Sequence, residues 1–270
     1  MSSSNILIVV GMHRSGTSLT SQWLNAIGLD LGDRLLGVDI GNNKGHFEDL
    51  DFIEFHDAVM ARVGIGFGGL SNLKPFELND YEIERLQSII NFKSNLRKQW
   101  GWKDPRTCLF LKHYRNLIPN AKYFIVLRNY ENVINSLVKR DISVRKKELK
   151  LSQRSPSSRK VHELLYLNEK KYYQKSNQYA EVYCQYLEYI LDHVKHMDEK
   201  NYIIVDIDNP NVKMSEFLNS NNFNIEMVEF DEVFDKNQVS SINANIINLI
   251  NPNVISKIKT IENEIYAFQK

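Results

Sequence analysis

Residues Ile6 to Val10 form an unbroken apolar run, Ile-Leu-Ile-Val-Val, of the kind that makes a strand buried on both faces. Gly11 ends the run. After Gly16, apolar side chains return at Leu19, Trp23, Leu24 and Ile27, which is helical spacing. The pattern predicts a strand, a tight loop, and a helix that stops at Gly28. Tyr123 to Leu127 and Tyr202 to Asp206 read as further strands, and Trp100 to Lys103 as a short one. Helical periodicity is predicted after Asp49 (Phe52, Ile53, Phe55, His56), over Tyr81–Trp100 and over about 130–140. It continues over Val161–Met197, as one helix or two, and from Val239 with a break at Asn251-Pro252. The tyrosines of 161–197 read as core, with stacking on a base or sugar ring as the alternative.

Residues 28–46 and 64–80 carry the Gly, Asp, Asn and Pro of irregular loops. Residues 143–160 hold seven basic side chains against one acid, which predicts a solvated loop, with a lid over an anionic ligand as the alternative. A strand, loop and helix followed by buried strands after helices predict an α/β fold. The expectation is one P-loop-like domain over residues 1–270, with a doubly wound, mostly parallel sheet flanked by helices.

Composition narrows the function. A hydrophobic content of 43% supports a sizeable core. The formal net charge is +1, so no general attraction to nucleic acid or membrane is expected. Two cysteines, Cys108 and Cys184, make no disulfide framework. No signal-peptide pattern precedes the first strand, and no apolar stretch is long enough for stable membrane insertion. A cytoplasmic location is therefore expected.

The chemistry starts at the loop Gly11-Met-His-Arg-Ser-Gly-Thr-Ser18. Such a loop turns backbone N–H groups inward ahead of a helix N-terminus, which makes an anion cradle. A Walker A loop reads G-x-x-x-x-G-K-[ST]. Gly11, Gly16 and Ser18 fit, but Thr17 stands at the lysine position and the cation is Arg14. Lys103 ends its strand on the edge where open α/β sheets bind ligands, and Asp104-Pro105 reads as a helix start. Arg128 ends the strand where a Walker B strand would end in an Asp for Mg²⁺. Ser136 and Arg140 follow one helical turn apart. Lys44, His46, Glu48 and Asp49 form a compact ionisable set. Glu48 and Asp49 either start the next helix or supply a general base beside the cradle. Asp206, which ends the third long strand, is the one feature a kinase could use.

Three of these pieces resemble the sulfotransferases that use 3′-phosphoadenosine 5′-phosphosulfate (PAPS), particularly the bacterial and tyrosylprotein types. Gly11–Ser18, with its Arg-Ser-Gly-Thr, resembles their 5′-phosphosulfate loop. Arg128 with Ser136 eight residues on resembles their 3′-phosphate site, and Arg140 a further nucleotide contact. Lys103-Asp-Pro105 and Pro119–Arg128 look like the family's middle segment, and Asn43–Glu48 like a segment of bacterial members. The similarity covers about residues 6–28 and 100–141. It implies PAPS as co-substrate, no metal, and transfer of a sulfuryl group to the hydroxyl of a carbohydrate or small molecule. Arg14, Ser15, Gly16, Thr17, Ser18, Arg128, Ser136 and Arg140 would bind the donor. Arg14 and Lys103 would stabilise the leaving oxygen, and Glu48, with His46 in reserve, would be the general base. A small-molecule kinase using Mg-ATP, with Asp206 on the metal, and a non-catalytic nucleotide-binding relative are the alternatives.

Overall fold

The computed structural model describes residues 4–37, 47–152, 169–208, 213–226, 228, 230–233 and 241–269. Four strands form one sheet: β1 (Asn5–Val10), β2 (Gln99–Lys103), β3 (Lys122–Leu127) and β4 (Tyr202–Asp206). Their order is β2-β1-β3-β4 and every pairing is parallel. Val9 pairs with Lys103, Val10 with Ile125, and Leu127 with Asp206. This register brings the loop after β1 between Lys103 on one side and Arg128 on the other. The chain leaves β1 towards β2 and then passes back to β3, so the crevice beside β1 is a topological switch point.

The longer helices among the described residues are α1 (Thr17–Ala26), α2 (Leu50–Val63), α3 (Asp80–Leu96), α4 (Leu111–Leu117), α5 (Tyr130–Ser152), α6 (Lys175–Lys195), α7 (Lys213–Ser220) and α8 (Pro252–Tyr266). They cover both faces of the sheet, because alternate strand residues point to opposite sides. Ile6, Ile8, Val10, Tyr123, Ile125 and Leu127 pack with α2, α3, α5, α6 and α8. Leu7, Val9, Phe124 and Val126 pack with Trp23 and Leu24 of α1 and with Met214 and Leu218 of α7. Burying a side chain as large as Trp23 contributes at least ~2 kcal/mol. Its indole N–H is not lost, since it donates to Val228 O at 2.8 Å.

Local chemistry sets the helix ends. Asn79 accepts from Glu82 N while Glu82 accepts from Asn79 N, a capping box that starts α3. Asn251 caps α8, with Pro252 at its first position. The Tyr81–Trp100 periodicity ends earlier than predicted, at Leu96, and β2 already begins at Gln99. The basic stretch also departs from expectation. Up to Ser152 it continues α5 rather than forming a loop, because no Gly or Pro interrupts it before Pro156. Arg145 and Glu148 pair along it at 3.0 Å. Its remainder, 153–160, lies outside the described residues, as do 161–168 of the predicted tyrosine-rich helix. Among the described residues no helix is long and apolar enough to cross a membrane.

Candidate functional site

The loop after β1 is fixed by close approaches. A Cβ at Gly11 would lie 2.5 Å from Val126 O and 2.8 Å from Thr17 Cγ2. Arg14 (φ 70°) and Gly16 (φ 94°) both take the left-handed conformation. A Cβ at Gly16 would meet Ile207 Cγ1 at 2.5 Å. Ser15 N donates to Met12 O at 3.1 Å, closing the turn. Gly16 stands at the N-cap of α1 and supplies no side-chain acceptor. The helix therefore presents its N-terminal partial positive charge to the loop without a capping carboxylate or hydroxyl. Ser15 and Thr17 are buried, and Ser18 is half-buried.

One flank of the loop is built from arginines. Arg14 Nε donates to Ser136 Oγ at 2.8 Å, and Arg128 Nη1 donates to Arg14 O at 3.2 Å. Arg128 also reaches Asp208 at 3.4 Å, and its own carbonyl accepts from Tyr183 at 2.8 Å. The Arg14 guanidinium has its pKa lowered by burial and then by the charges of Arg140 and Arg128. Arg14, Arg128, Ser136 and Arg140 thus share one neighbourhood. Burial and the charge of Arg140 also push His13 down to about 3. His13 is neutral, and its Nε2–H donates to Gly68 O at 2.7 Å, tying the loop to the glycine-rich turn after α2.

The other flank is built around Lys103, which is fully buried. Its Nζ donates to Glu48 Oε1 at 2.7 Å and to Ser18 Oγ at 3.1 Å. Burial lowers the Lys103 pKa, against the opposing pull of Glu48 and Asp104. The two acids that the sequence left undivided take separate places here. Asp49 caps α2 by accepting from Asp51 N at 2.9 Å, and Glu48 stays outside the helix, facing Lys103.

Behind Lys103 lies a network that the sequence did not suggest. Asp104 does cap the next turn, accepting from Arg106 N at 3.0 Å. That turn is a 3₁₀ segment, Pro105–Phe110, which runs into α4. Asp104 also accepts from His56 Nδ1 at 2.7 Å and from the Arg106 guanidinium. Burial alone would raise the Asp104 pKa, but Arg106 and His56 outweigh it and hold the carboxyl well below the usual range. An ionised carboxylate only accepts, so His56 Nδ1 carries the proton and Nε2 accepts from Tyr114 Oη at 2.8 Å. His56, Arg106 and Tyr114 stand far apart in sequence from at least one partner, so no spacing rule could have joined them.

Arg14, Ser15, Gly16, Thr17, Ser18, Glu48, Lys103, Arg128, Ser136 and Arg140 lie around one end of β1. His46 and Lys44 fall outside the described residues. Asp206 lies beside β3, in register with Leu127. It ends the edge strand β4, one strand beyond β3, and accepts from Asp208 N at 3.0 Å.

Neither a protein-family model nor a curated protein sequence matches the chain. Among solved structures, the sulfotransferase domain of the Synechococcus PCC 7002 olefin synthase is similar. It shares 15% identity at a TM-score of 0.45, over 99% of this chain and 94% of that one.

Proposed function

We propose that this protein is a sulfotransferase that moves the sulfuryl group of PAPS to an acceptor hydroxyl, of a carbohydrate or a small molecule. The observation that carries this is the convergence of Arg14, Arg128 and Ser136 beside the uncapped N-terminus of α1, with Lys103 on the opposite flank. Like charges gathered at a sheet edge are relieved by an anion. The arginine flank and the helix N-terminus together suit a ligand that is anionic at two places.

The amides of the loop and the Thr17 and Ser18 hydroxyls bind the 5′-phosphosulfate. Arg128 and Ser136 bind the 3′-phosphate, for which the guanidinium fork is suited, and Arg140 adds a further contact. In the transfer, the acceptor oxygen bonds to sulfur as the bond from sulfur to the phosphate oxygen breaks. Glu48 takes the acceptor's proton, with His46 in reserve, a role worth on the order of 10²–10⁴-fold. Lys103 and Arg14 stabilise charge on the departing oxygen, and one such preorganised donor is worth ~10²–10³ in rate. Positioning and electrostatics supply the catalysis, as in phosphoryl transfer.

A comparison of ligands by thermal shift tests this. Adenosine 3′,5′-bisphosphate should raise the melting temperature more than AMP or Mg-ATP, since a ligand at ~100 times its Kd adds ~2.7 kcal/mol. Arg128→Ala should abolish the advantage over AMP. A larger shift with Mg-ATP would favour a kinase. Bisphosphate binding with no transfer from labelled PAPS to any acceptor class would favour a non-catalytic relative.

A further inference from the structure

The place of Glu48 against Lys103 is defined by what lies behind it. Its carbonyl accepts from Leu36 N at 2.7 Å, and Leu50 N donates to Arg34 O at 2.9 Å. These bonds bracket an antiparallel bridge between Leu35 and Asp49. Asp49 is 1% exposed. One of its oxygens caps α2, and the other accepts from Lys93 Nζ at 2.6 Å. Lys93, on α3, is itself 1% exposed. It also contacts Asp51 at 2.8 Å and Asp33 at 3.2 Å. Burial would lower the Lys93 pKa, but the hydrogen bonds it donates to Asp49 and Asp51 outweigh this and leave it raised.

The neighbourhood leaves little slack. A Cβ at Gly32 would lie 2.2 Å from Asp49 Oδ2, and Arg97 ties Asp30 and Asp33 to the end of α3. A buried ammonium holding three carboxylates is more than a surface ion pair. It joins the 28–37 loop, the start of α2 and the end of α3 at the residue next to Glu48.

We infer that Lys93, acting through Asp49, is the positioning residue that holds Glu48 against Lys103. This rests on Glu48 and Lys103 being site residues of the proposed transferase, although the geometric part does not need turnover. Without the ammonium, Asp49 is a buried carboxylate whose pKa burial already raises. It must then protonate or turn outward, and the bridge that sets the Glu48 backbone slackens.

The test reads Lys103 directly. The charged groups facing Lys103 are Glu48, Asp104 and Arg106, so loss of Glu48 contact lowers its titration midpoint. That midpoint is followed by lysine side-chain NMR, with the resonance identified by its loss in Lys103→Arg. Glu48→Gln should lower the midpoint. Lys93→Met should lower it in the same direction, and the double variant should fall no further than Glu48→Gln. A wild-type midpoint in folded Lys93→Met overturns the inference. If Lys93→Met does not melt cooperatively, Asp49→Asn takes its place, because Asn still caps a helix. A smaller shift of the same sign is expected there, and none overturns the inference. In turnover, Lys93→Met should lower kcat roughly 10–100-fold without changing bisphosphate affinity. If wild type binds no bisphosphate, the proposed function fails while the midpoint comparison still decides the positioning role.

Discussion

Arg14 joins the loop to both arginine-flank partners. Its backbone carbonyl takes a bond from Arg128 and its side chain gives one to Ser136. A side-chain-bearing residue in the left-handed region costs about 1–2 kcal/mol, so this conformation is held by its surroundings. Ser136 can then serve twice, orienting Arg14 and bonding a phosphate. Hydrogen bonds to charged groups are worth about 1.5–3 kcal/mol. Ser136→Ala should therefore weaken adenosine 3′,5′-bisphosphate roughly 10–100-fold by titration calorimetry, with AMP nearly unchanged. An equal loss for both ligands would mean that Ser136 only orients Arg14. At this scale, the local pattern marked the loop and the strand-end residues Lys103 and Arg128, while Ser136 stood out only through the family resemblance. It was silent on which side chains meet. Lys93 meets Asp49 across 44 positions and His56 meets Asp104 across 48. Nothing in the local pattern marks a lysine on α3 as buried.

Elements show the same division between local and distant causes. The β1–loop–α1 unit follows from its own sequence, while which of Glu48 and Asp49 caps α2 does not. The length of α5 does not follow from charge density. A basic run with no breaker is as able to form an exposed helix as a loop, and expecting a loop gave charge more weight than the missing Gly and Pro. The loop allows a paired prediction. Gly16 and Gly28 both have left-handed φ, 94° and 91°. An added Cβ strikes Ile207 at Gly16 and, among the described residues, meets nothing within 4 Å at Gly28. Gly28→Ala should cost only the backbone term, on the order of 1 kcal/mol. Gly16→Ala should cost a further ~1–3 kcal/mol from overpacking. Urea denaturation of the two variants measures the difference, and equal midpoints would mean that β4's exit at Ile207 yields freely.

At the scale of the whole molecule, strand order was the largest thing unread. Pairing β1 between β2 and β3 is a non-local choice, and it alone brings Lys103 and Arg128 to opposite sides of one loop while leaving Asp206 at the edge. A second whole-molecule property comes from the buried histidines. Burial lowers His56 and His113, and takes His13 and His193 to about 3. A histidine with its folded pKa below the unfolded value near 6.5 gives stability that is present above that value and lost as pH falls towards the folded pKa. Asp49 and Glu262, raised by burial, oppose this, because their contribution grows as pH falls. Asp104, held low, adds to the loss only near the carboxylate range. The histidines should therefore govern the window from about pH 6.5 down to 5. His193 isolates the effect. It is fully buried against the Tyr123 ring, with centroids 4.3 Å apart, and among the described residues neither ring nitrogen has a hydrogen-bond partner. Its neutrality at pH 5 costs the fold about 2 kcal/mol relative to pH 7. His193→Leu removes that cost together with two unpaired polar atoms, whose burial is itself unfavourable. The urea midpoint of the variant should exceed wild type at pH 7, and the gap should widen at pH 5. A constant gap would place the acid sensitivity on the carboxylates and on His13, where the anion-binding loop meets the turn after α2.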